Sequence, residues 1–252
     1  MLENINIEEI KAIALEAGDA IMEIYVKDFN IEYKDDKSPL TEADTKANEI
    51  ICKRLVELYP TIPMMSEENK EVLFEERKNW EYYWCIDPID GTKEFIKKND
   101  EFTINIALIH KDTPVLGVVY APAIHEMYSA KKGHGAFKNE QKLPLVINSN
   151  PEEKLFVVAS KSHLSEETQV FINALNSKEI EQISKGSSLK LCMVAEGLAD
   201  IYPRLAPTME WDTAAADAIV RESGNMTYQY ENNKPMIYNK ENLLNAWFIV
   251  KK

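Results

Sequence analysis

The stretch "WCIDPIDGTKEF", Trp84 to Phe95, sets two aspartates at the mouth of an apolar segment. Trp84 to Ile86 reads as the end of a buried strand. Asp87 and Asp90 flank a Pro-Ile pair, and Gly91-Thr92 follow at once. Pro88 bars a helix between the two carboxylates, so both can turn into one space beyond the sheet edge. Plain Asp-Pro and Asp-Gly turn chemistry is the alternative. Thr92 speaks against a mere turn. It stands behind a glycine at a helix start, where free backbone N–H groups would cradle an anion such as phosphate.

Upstream, Ile10, Ile13, Ala14, Ala17, Ile21 and Ile24 recur at helical spacing and predict a helix over residues 7–26. "YKDDKSPL" breaks the pattern. A second helix is expected from near Thr41 to before Pro60, with Ala43, Ala47, Ile50, Ile51 and Leu55 on its apolar side. The pattern then turns to strands: "YYWCI", "TINIALI", "VLGVVYAP" and "EMYSA", with "KKGHGAFKNE" reading as a hairpin. After "NSNPEEK", "LFVVAS" reads as a buried strand, "SEETQVFINAL" as a helix capped by Ser165, and "SSLKLCMVAEG" as a helix ending at Gly197. "WDTAAADAIVRESG" reads as a helix ending at Gly224, and "NAWFIV" as a final strand. The expected organisation is two lobes. Residues 1–150 carry antiparallel strands under two long helices, and residues 151–252 alternate helices and strands.

The chain has 252 residues, 45% hydrophobic and 28% charged, which is the balance of a globular protein. Its formal net charge of -13 repels phosphate backbones and anionic membranes and argues against nucleic-acid binding. An anionic substrate would need a local inversion of that potential, which bound divalent cations supply. Cys52, Cys85 and Cys192 have no zinc-site spacing and point to a reducing compartment. The N-terminal segment lacks the basic start of a signal peptide, and no apolar run is long enough to span a membrane. A cytoplasmic location is expected, with peripheral membrane association left open.

Three further acidic positions stand out. "PMMSEEN" holds Glu67 and Glu68, which alone read as a surface acidic pair. "SPLTEADTKANEI" holds Asp44, and Thr41-x-x-Asp44 resembles a capping box. "MEWDTAAADAI" starts a helix with Asp212, where capping is again the plain reading. Ala214 to Ala216 argue for more, because small residues let that helix end press against its neighbours. Carboxylates on strand and helix ends without a histidine cluster are an oxygen-only donor set, which suits Mg²⁺. Cations between them would make the crowding of Asp87 and Asp90 tolerable. "GHGAFK" lacks the third glycine of a dinucleotide fingerprint. GxxxxGK[ST], the zincin motif and GxSxG are absent.

"DPIDGT" at 87–92, "SEE" at 66–68 and "WDTAAADAI" at 211–219 resemble the motifs of the lithium-sensitive, magnesium-dependent phosphomonoesterases that include inositol monophosphatase. "DPIDGTKEFIKKNDEFTINIALI" and "GSSLKLCMVAEGLADIYPRLAPTMEWDTAAADA" resemble its bacterial 3'(2'),5'-bisphosphate nucleotidase branch. The resemblance implies an α/β fold, a five-layered αβαβα sandwich. It implies a Mg²⁺-dependent hydrolase that takes adenosine 3',5'-bisphosphate to AMP and phosphate, linked to sulfur metabolism. Two Mg²⁺ ions are implied, or three with substrate bound. Glu67, Asp87 and the carbonyl of Ile89 would hold the first, and Asp87, Asp90 and Asp212 the second. Thr92, oriented by Asp44, would position the attacking water beside Glu67, and Gly91 and Thr92 would present N–H groups to the scissile phosphate.

Substrate contacts are expected from Glu67, Ile89, Asp90, Gly91, Thr92, His163, Gly186, Lys190, Arg204 and Asp212. His163 would meet a base, and Lys190 and Arg204 a second phosphate, although Lys190 also reads as a solvated helix residue. The expected partner is a small phosphorylated nucleotide, and the expected assembly a monomer or homodimer. An inositol or sugar phosphatase of the same superfamily is the alternative. A metal-binding regulatory member without catalysis is the further one.

Overall fold

A computed structural model describes residues 1–27, 31–33, 39–148, 150–160 and 165–252. The N-terminal part runs α1 (Ile7–Tyr25), β1 (Ile31–Tyr33), β2 (Pro39–Thr41), α2 (Glu42–Leu58), β3 (Met64–Ser66), α3 (Phe74–Arg77), β4 (Tyr82–Asp90) and α4 (Thr92–Ile96). β5 (Thr103–His110), β6 (Thr113–Ala121), β7 (Glu126–Lys131), β8 (Gly135–Lys138) and β9 (Gln141–Lys142) follow. The remainder runs β10 (Lys154–Ser160), α5 (Glu166–Asn173), β11 (Glu179–Lys185), α6 (Leu189–Glu196), β12 (Ile201–Arg204), α7 (Glu210–Glu222), β13 (Met226–Gln229) and β14 (Phe248–Lys251).

The apolar stripes of α1 and α2 bury Ile10, Ile13, Ala17, Ile21, Ala47, Ile51 and Leu55 against one face of a seven-stranded sheet ordered β3 to β9. Within it β3 and β4 run parallel and the later pairs antiparallel. The other face packs on α6 and α7 in a second core, which Val158, Tyr202, Phe248 and Val250 of the second sheet close. That sheet has five strands in the order β11-β10-β12-β14-β13. Ile172 of α5 covers its far side with Val157, Ala159 and Ile201. Helix, sheet, helix, sheet, helix is the expected five-layered sandwich.

The helices expected from periodicity form within a residue or two, with Ser165 capping α5 and Gly197 (φ +82°) ending α6. Two details differ. "NAWFIV" enters its strand only at Phe248. "EIEQISK", not expected as a strand, forms β11, a polar edge strand parallel to β10. Its solvated face and charged pattern carry no apolar alternation to reveal it, and such charge is what keeps an edge from pairing with other chains.

The middle layer depends on close approach. Gly117 in β6 faces α7, and a Cβ there would lie 2.1 Å from the carbonyl oxygen of Ala215 and 2.9 Å from Cβ of Ala218. The small residues of α7 and this glycine therefore seat the helix that carries Asp212 directly on the sheet that carries Asp87. Gly117→Val is expected to cost about 3 kcal/mol or more, because the clash is with main chain that cannot rotate away. Denaturant unfolding checks this, with a parallel loss of activity as Asp212 shifts.

Candidate active site

Strand parity and one irregularity aim the two aspartates of the opening motif. Trp84 and Ile86 point into the core under α1 and α2, and Tyr83 and Cys85 into the core between the sheets. Asp87 continues the second set. Asp90, three residues on, would face the opposite way in a regular strand. The pairing Asp87 to Asn105 and Asp90 to Thr103 inserts one extra residue in β4. Ile89 takes the position under the helices, and Asp90 returns to the side of Asp87. A bulge beside a site is a common device for re-aiming a side chain. Thus the pair is more than a turn.

Both aspartates line a cavity of about 260 Å³ between the sheets, with Glu67, Ile89, Gly91, Thr92, Gly186, Lys190, Arg204 and Asp212. Glu67, just past β3, Asp87 on β4 and Asp212 on α7 bring carboxylate oxygens within 4.8 Å of one another. Glu67 is thus not simply half of a surface acidic pair. Asp87 Oδ1 accepts from the N–H of Ile89 (3.1 Å), whereas its buried Oδ2 receives no donor among the described residues. Burial, and then Glu67, Asp90 and Asp212, push the Asp87 carboxyl well above the usual carboxylate range. Asp212 is raised likewise by burial, then by Asp90 and Glu67. An orphaned carboxylate oxygen beside two more carboxylates is an all-oxygen donor set short of positive charge. The residues therefore fit a hard divalent cation such as Mg²⁺.

Capping and site geometry coincide at two helix starts. Asp44 Oδ2 accepts from the N–H (2.8 Å) and hydroxyl (2.6 Å) of Thr41, which makes the expected cap of α2. Its other oxygen, Oδ1, accepts from the hydroxyl of Thr92 at 3.2 Å. Burial raises the Asp44 carboxyl, and the Thr41 donors oppose that rise. Asp212 Oδ2 likewise accepts from the N–H of Met209 (2.8 Å) at the start of α7. Gly91, with φ +92°, makes the left-handed turn into α4 that brings Thr92 over the cavity.

Lys190 is 7% exposed, so it is not a solvated helix residue. Its Nζ donates to the carbonyl of Ser187 (2.6 Å), and burial brings its pKa down to about 8. The Arg204 guanidinium is held by Thr208 Oγ1 (2.8 Å) and the carbonyl of Pro207 (2.9 Å). Gly186 allows its chain to pass Glu101, whose carbonyl oxygen would lie 2.8 Å from a Cβ. His163 lies outside the described residues. Sequence reasoning passed over Ser187 and Ser188, whose hydroxyls donate to Asp90 Oδ2 at 3.0 and 2.8 Å. Only their place between Gly186 and Lys190 could have marked them.

The chain matches the inositol monophosphatase family over residues 1–247. The 3'(2'),5'-bisphosphate nucleotidase CysQ of Escherichia coli (strain K12) is 43% identical over 247 residues, 97% of this chain and 98% of the relative. CysQ of Salmonella typhimurium is 44% identical over 246 residues, with coverage of 97% and 98%. The crystal structure of CysQ from Bacteroides thetaiotaomicron, a bacterial member of the inositol monophosphatase family, aligns with a TM-score of 0.83 at 44% identity, covering 95% of this chain and 94% of that one. An IMPase/NADP phosphatase complexed with Mg²⁺ and phosphate shares the fold, with a TM-score of 0.79 at 21% identity, covering 97% and 90%. With the family matched over nearly its whole length, the chain belongs to the inositol monophosphatase family, and within it resembles the bacterial 3'(2'),5'-bisphosphate nucleotidases.

Proposed function

We propose that the protein is a Mg²⁺-dependent phosphomonoesterase that hydrolyses adenosine 3',5'-bisphosphate to AMP and phosphate. The observation that carries this reading is the meeting of Glu67, Asp87 and Asp212 within 4.8 Å in a cavity that also holds Lys190 and Arg204. The similarity to CysQ nucleotidases supports a bisphosphate nucleotide among phosphate esters. The reaction suits a cytoplasmic enzyme of sulfur metabolism, and no helix among the described residues is long and apolar enough to cross a membrane.

Glu67, Asp87 and the carbonyl of Ile89 would hold one cation, and Asp87, Asp90 and Asp212 a second. Bound Mg²⁺ supplies Lewis-acid polarisation of the phosphoryl group and of the attacking water. Thr92 has one hydroxyl proton, within reach of Asp44 Oδ1 (3.2 Å) and the Ile89 carbonyl (3.3 Å), and giving it to either would leave its lone pairs to accept from that water. Asp44 is fixed by Thr41 and in turn fixes Thr92. Glu67, which lines the same cavity, would be the second acceptor for the water. The N–H groups of Gly91 and Thr92, at the left-handed turn into α4, would hold the scissile phosphate. Lys190 and Arg204 would pair with the second phosphate.

The raised carboxyls make stability depend on pH. A carboxyl near pKa 3.9 in the unfolded chain but higher in the folded one costs nothing at low pH, where both states are protonated. As pH rises through that window, the unfolded chain ionises freely and the folded one does not. Stability of the chelator-treated protein should therefore fall as pH rises from the acid range to neutrality. Asp87→Asn should flatten that fall, raise the melting temperature at neutral pH in chelator, and abolish turnover. A melting temperature lowered by this change would make Asp87 a structural residue.

Thr92→Ala should lower kcat by about 10²- to 10⁴-fold, the range of proton-handling groups, with little change in the Mg²⁺ needed for thermal stabilisation. Near-normal kcat would remove Thr92 from the reaction.

A Mg²⁺-supported panel of adenosine 3',5'-bisphosphate, its 2',5' isomer, inositol 1-phosphate, fructose 1,6-bisphosphate and AMP tests the substrate. The first should be hydrolysed far faster than AMP or inositol 1-phosphate. A charge-assisted contact is worth about 1.5–3 kcal/mol, so Arg204→Ala should cut kcat/KM for the bisphosphate about tenfold to a hundredfold. The slow hydrolysis of inositol 1-phosphate should hardly change. A wild-type preference for inositol 1-phosphate would reassign the enzyme to the inositol phosphatases.

A further inference from the structure

Four polar side chains around Asp90, three of them buried and the fourth, Ser187, on the cavity wall, form a network that the proposed reaction does not use. Ser187 and Ser188 both converge on Asp90 Oδ2, at 3.0 and 2.8 Å. Thr103 Oγ1 meets Ser187 Oγ, and Asn105 Nδ2 donates to Ser188 Oγ at 2.8 Å. Ser188 Oγ also lies 2.7 Å from the main-chain oxygen of Asp212. Thr103, Asn105 and Ser188 are at most 1% exposed, so water does not replace these bonds.

Counting protons limits the network: Thr103, Ser187 and Ser188 have one hydroxyl proton each for five contacts, one of them from Thr103 Oγ1 to Asn105 Oδ1 at 3.1 Å. Asn105 can only give an N–H to Ser188, so Ser188 accepts there and has one O–H left to give. Its two acceptors are Asp90 Oδ2 and the Asp212 carbonyl, both proposed ligand residues. Ser187 accepts the N–H of Ser188 and can pass its own proton to Asp90. With two hydroxyls within hydrogen-bond distance of Oδ2, Oδ1 is the oxygen of Asp90 left for the cavity. Thr103 and Asn105 are the β5 partners opposite Asp90 and Asp87 across the bulge. The network thus ties the bulge to the residues that open α6.

We propose that Ser188 and Ser187, backed by Asn105 and Thr103, are positioning residues that hold Asp90 with Oδ1 presented to the cation shared with Asp212. This rests on the metal reading given above. Thr103, Asn105 and Ser188 are not among the residues that line the cavity, whereas Ser187 is. They determine how much Mg²⁺ the second position needs, because an unanchored carboxylate must be ordered by the ion itself. Partners of metal ligands of this kind alter affinity by about 10- to 100-fold when removed.

The test is a Mg²⁺ titration of thermal stabilisation, which needs no turnover, run beside a Mg²⁺ titration of activity. Ser188→Ala should move both midpoints upward by about 10-fold or more, while kcat at saturating Mg²⁺ recovers most of the wild-type value. Thr103→Val, isosteric and one bond further from Asp90, should shift both the same way by less. It keeps the test open should Ser188→Ala not fold. In an Asp90→Asn background, Ser188→Ala should add nothing to the stabilisation midpoint. Unchanged midpoints in both variants overturn the proposal, and so does a full additional shift in the Asp90→Asn background. A wild-type protein that Mg²⁺ does not stabilise at all would overturn the metal reading itself. Stabilised wild type with indifferent serine variants would overturn this inference alone.

Discussion

Three carboxylates from three separate elements share one cavity, and their mutual repulsion is the constraint around which the molecule is arranged. Left to themselves, Glu67, Asp87 and Asp212 would drive β3, β4 and α7 apart. The surrounding structure prevents that with contacts that are apolar or main-chain. α7 lies directly on β6 because Gly117 has no side chain, and two cores grip the seven-stranded sheet from opposite faces. Repulsion held in place by packing is what makes the cavity attractive to positive charge.

The same residues serve local and distant ends at once. Asp44 caps α2 through one oxygen and reaches Thr92 through the other. Asp212 caps α7 and faces the cavity. A cap fixes the first turn of its helix, so a carboxylate used this way is already ordered before any ligand arrives. That is preorganisation, and it lowers the entropy cost of binding. Capping and function were competing readings of these positions in the sequence. In the fold they are one arrangement.

Much of the architecture was legible because burial writes a period into the chain. The stripe from Ile10 to Ile21 and the run from Trp84 to Ile86 announced α1 and β4, since each faces one core or two. β11 escaped because it lies at a sheet edge, where solvent imposes no alternation. Lys190 was ambiguous because a helix position does not say which face is covered, and the packing of α6 between two sheets covers this one. Ser187 and Ser188 escaped because a hydroxyl carries no local signature of a partner some 97 residues away.

The sequence by itself determined the local elements, the order of the motifs and the chemical kind of the donor set, all of which depend on residue type and spacing within a few positions. It could place Asp87 and Asp90 at a strand end with both able to turn into one space, but strand parity alone would set them on opposite faces. Only the tertiary structure decided that they share one. The register of β4 on β5 admits a single extra residue there, and the seat of α7 against Gly117 brings Asp212 to meet Asp87. Such convergence comes from pairing and packing between segments far apart in the chain, and those energies have no expression in the spacing of neighbouring residues.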